Sequence, residues 1–541
     1  MDNINRKLCW GAALLLLSFV CSCQQQGSVG KGQKQFTSPP ELGPAIGSLA
    51  EVVIPGSIAV EGYGLAGNLN GTGSSQCPPQ VRAYLTRYIL SQLSGQKIDV
   101  NKLIDSHDTA VVLIQGILPL IPSKDQFFDV QVTALQGTST TSLEGGWLYT
   151  AELKAVGLGL NARAIADVEG PVFIDTVGDS QPDKKAGFIL AGGRVLDNFN
   201  IGLVLREPDY RVTSDIRNRL NGLFGDGVAK AVSPSRIEVI VPDRYKEQRE
   251  RFASLVRSTY LTYTPEVTEK RVSTFARLLD TSQDKEASEI ALEAIGTDSI
   301  GMLNVLLNST DQQVRLRAAR CMLNLGNNAG LNVLQQMAFD TGSPYRVGAL
   351  EAITLGAARV DAAVVSRKLL LDRDFQVCLA AYEQLRKLDD VALKREFIGR
   401  SFYLEQVSQT GHRVIFVSRS GQPRIVLFGA SIYCRDNIFV QSSDGGIIIN
   451  APTGQKYVTL ARKHPKRPGV VAQARSSFEL ADIIRKLCEE PARSNEQTRR
   501  GGLGVSYAEM IALLKQLSDK GAVRAQFLAG PLAKIDTTIK K

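Results

Sequence analysis

Residues able to carry chemistry are sparse and scattered. His107, His412 and His464 stand far apart in the 541-residue chain. That leaves little material for a His-rich metal site or a histidine-based triad, both of which need several donors converging on one point. Asp175, Asp179 and Asp183 share a loop bearing Gly and Pro. Their carboxylates could in principle hold calcium, but the ligand order and closing Glu of an EF-hand are missing, so a solvated loop is expected. Gly62, Gly64 and Gly67 satisfy G-x-G-x-x-G. A dinucleotide site would also need a helix opening there and an acid about 20 positions later. Asn70-Gly71-Thr72-Gly73 continues turn chemistry instead, and Arg87 stands where the acid belongs. The expectation is a pair of tight turns in which glycine permits positive φ and close backbone approach. The chain has no G-x-S-x-G elbow, no Walker loop, no H-E-x-x-H and no paired C-x-x-C. No catalytic residue, cofactor site or metal site is therefore expected, and the chain is not expected to be an enzyme.

Composition bounds the class of protein. At about 100–200 residues per domain the length implies several domains. Apolar residues at 44% and charged residues at 22% exclude a wholly disordered chain and a multi-span membrane protein. The net charge of +9 is a mild basic excess that favours anionic surfaces. The densest basic run, Arg462 to Arg467, could meet wall carboxylates or lipid phosphates, although a solvated loop is the plainer reading. No nucleic-acid partner is expected, because interleaved aromatics, a recognition helix and zinc spacing are all missing.

Arg6 and Lys7 precede the apolar run Trp10 to Val20, which is shorter than the roughly 20 residues of a membrane span and reads as a signal segment. Val20-Cys21-Ser22-Cys23 resembles a bacterial lipobox, making Cys23 the candidate lipidation site. Acyl chains there would anchor the protein to a membrane, and in the lipoproteins that this segment resembles a residue such as Gln24, in place of Asp, goes with the outer membrane. Residues 24–50 lack apolar periodicity and read as a flexible tether. In an oxidising compartment Cys77, Cys321, Cys378, Cys434 and Cys488 could pair, with one left over.

The first elements expected are a strand at Glu51 to Ile54, a helix opened by Pro78-Pro79 with Val81, Leu85, Tyr88 and Ile89 on one face, and strands at Ala110 to Leu118 and Phe128 to Ala134. Further on, Ile201 to Leu205, a helix from about Thr213 to Phe224, and Ile237 to Val241 form a strand-helix-strand unit.

Gly62-Tyr63-Gly64-Leu65, Leu69 to Gly73, Ala110-Val111-Val112, Leu118-Pro119, Phe128 to Val132 and Ser142 to Gly146 occur in the order found in the bacterial flagellar P-ring protein family, which the chain resembles. The resemblance runs from about Val52 to Val241 and returns at Leu503 to Leu528, where Ser506 and Glu509 form a capping-box pattern before Met510, Leu513, Leu514 and Leu517. It implies a homo-oligomeric ring around the rod in the periplasm, at the peptidoglycan layer of the flagellar basal body. Rod and L-ring proteins would be neighbours. Candidate ring-contact loops are Gly62, Tyr63, Gly64, Asn70, Gly71, Thr72 and Gly73. Valine at Gly64 and Gly71 is expected to block assembly while leaving the fold intact. Two competing readings are a P-ring-like envelope lipoprotein with a non-flagellar binding role and a wall-modifying hydrolase.

Between these blocks the family pattern is interrupted. Residues from about Arg271 to Asp390 look helical, with Gly296, Gly326 and Gly356 at an interval of 30 residues, each preceded by Ile or Leu. Small pairs such as Ala318-Ala319 and Ala380-Ala381 recur within the helices, as in short HEAT-like repeats whose stacked faces bury a continuous core. The expected fold class is thus α+β multidomain: P-ring-like α+β domains, an α-helical HEAT-like repeat region, a β-rich segment and a C-terminal helix. The expected boundaries are 1–23 signal, 24–50 tether, 51–170 first domain, 171–265 second domain, 266–400 repeats, 401–475 β-rich segment and 476–541 C-terminal helical segment.

Overall fold

The computed structural model of the protein describes residues 40–92, 99–178, 182–464, 467–491 and 501–535. The signal segment, Cys23 and most of the expected tether lie outside the described residues. The protein is an α+β multidomain chain built from four bodies.

The first body is a closed antiparallel barrel of strands Ala59–Gly67, Ala110–Ile117, Phe127–Ala134, Ala186–Val195, Ala166–Pro171 and Trp147–Ala155, in that spatial order. Inward alternation places Val60, Val112, Ile114, Val130, Val132, Leu148, Leu153 and Ile189 in its core. Closing a sheet on itself leaves no open edge. The expected helix is present as Pro79–Gln92; with a short helix Val100–Ile104 it covers the outside of the first two strands, burying Val81, Tyr84 and Leu85 against Leu65 and Val111. The boundary expected at residue 170 falls inside the barrel, because Ala186–Val195 is needed to close it.

The second body is a four-stranded antiparallel sheet in the order Ala50–Val53, Ile201–Leu205, Arg236–Val239, Ala229–Ser233. The helix Tyr210–Phe224 follows the second of these strands; Asp209 caps it and Ile216 and Leu220 enter the core. Its first strand comes from before the barrel and the rest from after it, so the barrel is inserted into this sheet. The end of the expected tether is folded too: Ile46 and Ala50 enter the core of this body, while Leu42 and Ala45 enter that of the helical array, where the Arg271 guanidinium donates to the Leu42 carbonyl. A stretch can look polar and aperiodic and still be pinned by a few apolar residues.

The third body is an array of four antiparallel helix pairs among the described residues: Pro265–Thr281 with Lys285–Ile295, Ile300–Leu306 with Gln312–Asn324, Ala329–Phe339 with Arg346–Gly356, and Arg359–Leu369 with Phe375–Lys387. The second helices of successive pairs pack on one another. Ala318, Ala319, Ala349 and Ala381 lie fully buried at these contacts. The 30-residue glycine interval has two physical meanings. Gly296 and Gly326 end helices with φ of +95° and +78°, whereas Gly356 is a packing position where a Cβ would come within 2.8 Å of Leu323 Cβ.

The fourth body joins two sheets. One is a mixed five-stranded sheet in the order Leu393–Ile398, Phe402–Val407, Arg424–Phe428, Val414–Arg419, Gln526–Leu532; the other is an antiparallel meander Ile438–Gln441, Ile447–Ala451, Val458–His464, Arg467–Ser476. Helices Leu480–Cys488 and Tyr507–Asp519 pack against them. The Ser506–Glu509 capping box is present in both directions, and Met510, Leu513, Leu514 and Leu517 are buried as patterned. Two boundaries move: the helices stop at Lys387, because Leu393–Ile398 is already sheet, and the C-terminal segment supplies the strand Gln526–Leu532, parallel to Val414–Arg419. No helix among the described residues is long and apolar enough to cross a membrane.

Candidate functional site

The glycine-rich block divides into a strand and a turn. Gly62, Tyr63 and Gly64 lie within Ala59–Gly67, not in a loop. A Cβ on Gly62 would sit 2.2 Å from the Glu152 carbonyl oxygen, and one on Gly64 within 3.1 Å of Ile114, Leu148 and Ala151 side chains. Both glycines are buried, and their role is to let barrel strands approach. Residues 68–73 form the turn that the sequence suggests: Asn68, Asn70 and Gly71 have φ of +63°, +49° and +86°.

Neighbouring loops knit this turn to the end of the barrel. The Leu69 amide donates to the Asp108 carbonyl at 3.0 Å, the Gly73 amide to the His107 carbonyl at 2.9 Å, and the Thr72 hydroxyl to the Ser142 carbonyl at 2.8 Å. Gly73 is buried, and a Cβ there would lie 2.1 Å from the Thr109 carbonyl oxygen. The part of the candidate contact block that another molecule can reach is therefore Asn70 and Gly71, with Tyr63 and Thr72 half-buried. His107 serves this turn through its backbone, while His412 places Nε2 2.7 Å from the Asp372 carbonyl oxygen at the seam between array and sheet.

Two acids missed as contact residues tie the barrel to the fourth body. Asp175, weighed above as a calcium ligand, pairs with Arg419 at 3.0 Å. The Asp129 carboxylate accepts the Gly421 amide at 2.8 Å and the Ala191 amide at 2.7 Å. Phe173 and Leu190 leave the barrel to join the core beneath Tyr507 and Phe402, and the Lys515 ammonium donates to the Val177 carbonyl at 3.1 Å. Asp183 braces its own turn, through the Lys185 amide at 2.9 Å, and Asp179 lies outside the described residues. Among the described residues no group of three or more His, Cys, Asp or Glu could hold a metal ion. Nothing local in the sequence signals Asp129 or Asp175, whose partners lie 292 and 244 positions away.

Buried carboxylates fix both ends of the array. Glu289 is completely buried between the Arg251, Arg317 and Arg320 guanidiniums at 2.8, 2.5 and 2.6 Å. Burial alone would raise its pKa, but Arg251, Arg320 and Arg317 overcome that and hold it down at about 2. Arg251 belongs to Arg249–Ser258, so this cluster is where the second body meets the array. At the other end Glu405, also fully buried, accepts from Arg386 at 3.2 Å, Arg395 at 3.1 Å and the Tyr382 hydroxyl. An open cleft of about 420 Å³ lies beside that joint, walled by Val347, Leu379, Phe416 and the Arg424–Glu383 ion pair.

The five cysteines of the folded body are all free, four of them buried, so the pairing considered above does not occur among the described residues. Burial pushes the Cys434 thiol up to about 12 and the Cys321 and Cys488 thiols well above their ordinary value. Such thiols resist forming the thiolate that oxidation and metal binding require.

Residues 46–273 match the sequence pattern of the family described as Flagellar P-ring protein. They contain the whole barrel, the whole second body and the start of the array. A Flagellar P-ring protein of Thermotoga maritima is 28% identical over 209 residues, 36% of this chain and 60% of that protein. One from Campylobacter jejuni is 26% identical over 192 residues, covering 34% and 53%. One from Hydrogenovibrio crunogenus is 27% identical over 219 residues, covering 37% and 56%. The chain thus spans little more than half the length of these relatives.

Proposed function

We propose that a chain whose barrel and second body follow the flagellar P-ring pattern is a structural subunit of the P ring, assembling head to tail around the rod in the periplasm as a bushing at the peptidoglycan layer. The observation that carries this reading is the continuous match over residues 46–273, which takes in the whole barrel and the whole second body and runs on into the first helix of the array. A closed ring needs two complementary surfaces on each subunit. The exposed Asn70–Gly71 turn is one candidate, held out from the barrel by the hydrogen bonds of Leu69, Thr72 and Gly73. In this reading the chain is not an enzyme. Rod and L-ring proteins are its neighbours, and a lipid on Cys23 holds it to the outer membrane. The block 503–528 closes the fourth body as the P-ring C-terminus would.

The helical array, which we read as HEAT-like, favours a second reading: a P-ring-like envelope lipoprotein that uses the array as a binding module outside the flagellum. Mass spectrometry of purified hook–basal bodies from the source organism separates the two. Peptides of this chain at ring-like stoichiometry with the rod proteins support the P-ring role. Their absence from otherwise complete basal bodies overturns it in favour of the second reading.

A further inference from the structure

The meander of the fourth body has a feature that the match over residues 46–273 does not involve. Its last strand, Arg467–Ser476, is outermost in the sheet and among the described residues pairs only with Val458–His464. Gly469 to Gln473 are exposed on both faces, with Val470 51% and Val471 47% accessible. Folded proteins blunt such edges with charges, prolines or bulges. Here those devices sit at the ends of the strand, in Arg467-Pro468 with a register shift beside them and in Arg475, and leave Gly469-Val470-Val471-Ala472-Gln473-Ala474 between them as an uncharged run of six without proline. The first strand of the sheet, Ile438–Gln441, forms the opposite edge and exposes Phe439 at 58%. On that edge the Phe439 carbonyl is held by the ammonium of Lys520 at 3.3 Å, one flexible side chain that an incoming strand displaces.

We infer that these two edges pair between copies of this chain, the last meander strand of one copy adding to the first meander strand of the next. Three observations select this occupant. The four strands are strictly antiparallel, so the first and last run in opposite directions. A second copy laid edge to edge therefore meets the first antiparallel with its core face on the same side, and the sheet continues from copy to copy. Charge opposes pairing the last strand with its own twin: centred on Val471, that would set Arg467 opposite Arg475, within a segment from Tyr457 to Ser477 that contains no acid. The other edge supplies the missing sign. Asp436 and Asp444 flank Ile438–Gln441 and are eight residues apart, as Arg467 and Arg475 are. Asp444 lies in the turn after the strand, its carboxylate accepting the Ser442 hydroxyl and the Gly446 amide, so the pair that an antiparallel alignment of Val471 with Phe439 forms is Arg475 with Asp436, within about one residue of each other. The contact is heterologous, as ring closure requires, and to that extent it rests on the ring-forming reading above.

The test uses full chains carrying single substitutions. Val471→Cys and Phe439→Cys chains are mixed under mild oxidation and compared with the unsubstituted chain, which sets the background from its own cysteines, four of the five described ones being buried. A disulfide linking the two kinds of chain, and a ladder of multimers when both substitutions sit in one chain, support the pairing. Val471→Pro, which removes a backbone donor from the edge, is expected to weaken self-association in sedimentation by about tenfold or more. Ala472→Lys provides a second variant with the backbone donor retained, and circular dichroism verifies folding of both. Cross-linking of Val471→Cys to itself, or unchanged self-association of both edge variants, overturns the pairing while leaving ring formation standing. A chain that never self-associates overturns both.

Discussion

The barrel and the helical array each bring backbones together more closely than large side chains allow, but by different chemistry. In the barrel the spacer is glycine: at Gly62, Gly73 and Gly192 a Cβ would collide with a backbone oxygen at 2.2, 2.1 and 2.7 Å. In the array it is mostly alanine, with Ala318, Ala319 and Ala381 fully buried where helices cross. Crossing helices keep their backbones apart by the width of a methyl group, whereas strands closing a tight barrel do not. The two regions also differ in attachment. The array is fastened at both ends by buried carboxylates among arginines, while the barrel meets the fourth body through three polar contacts, Asp175 with Arg419, Asp129 with Gly421 and Lys515 with Val177, and a few apolar side chains around Phe173 and Leu190. Damage should therefore be concentrated in different kinds of residue: charges in the array, glycines in the barrel.

The largest effect is expected at the first joint of the array. Glu289→Ala leaves Arg317 and Arg320 without their carboxylate and Arg251 with Glu293 alone, a loss of about 3–5 kcal/mol in denaturant unfolding. The pH dependence follows from the same cluster. The folded-state pKa of Glu289 is lowered to about 2, so its stabilisation is complete above the ordinary carboxylate range and is lost as pH falls toward 2. Unfolding midpoints of the native chain should drop across that window, and those of Glu289→Gln should drop less. Equal slopes would mean that the cluster does not fasten the array.

Next comes the glycine contrast inside the barrel. Gly64→Val places two methyl groups among Ile114, Leu148 and Ala151 and is expected to cost about 1–3 kcal/mol or prevent folding. This revises the expectation that valine at Gly64 spares the fold. Gly71 has open space around it and strains only through its positive φ, at roughly 1–2 kcal/mol. Thermal melts of the two variants should separate clearly, and only Gly71→Val remains informative about ring contacts.

Much of this architecture was legible because the signal is local. Alternation in Phe128 to Ala134, the Pro78-Pro79 helix start and the Ser506–Glu509 cap each depend on residues within a few positions, and each forms as patterned. The 30-residue interval revealed paired helices, although it could not distinguish a chain-reversing glycine such as Gly326 from a packing glycine such as Gly356. What was hidden is long-range. Barrel closure by Ala186–Val195, insertion of the barrel into a sheet begun by Ala50–Val53, and the final strand Gln526–Leu532 depend on partners scores or hundreds of residues away. The candidate contact block was visible as a motif. Its division into buried strand and exposed turn required knowing that Gly64 faces Ile114 and that Gly71 faces nothing.

The smallest effect should come from the tie between barrel and fourth body. The side chains of Asp175 and Arg419 are 14% and 19% accessible, so their pair is only partly shielded, and Asp175→Ala should cost about 1 kcal/mol of global stability. Its local consequence should be larger. Asp175 accepts the Val177 amide at 3.2 Å, and Val177 in turn supplies the carbonyl that receives Lys515, so one carboxylate organises the whole docking loop. Hydrogen exchange should quicken at residues 173–177 and 417–421 while the amides of Gln312–Asn324 stay protected. If array amides exchange faster as well, the barrel is part of what holds the array together, and the contrast between a firmly fastened array and a lightly tied barrel fails.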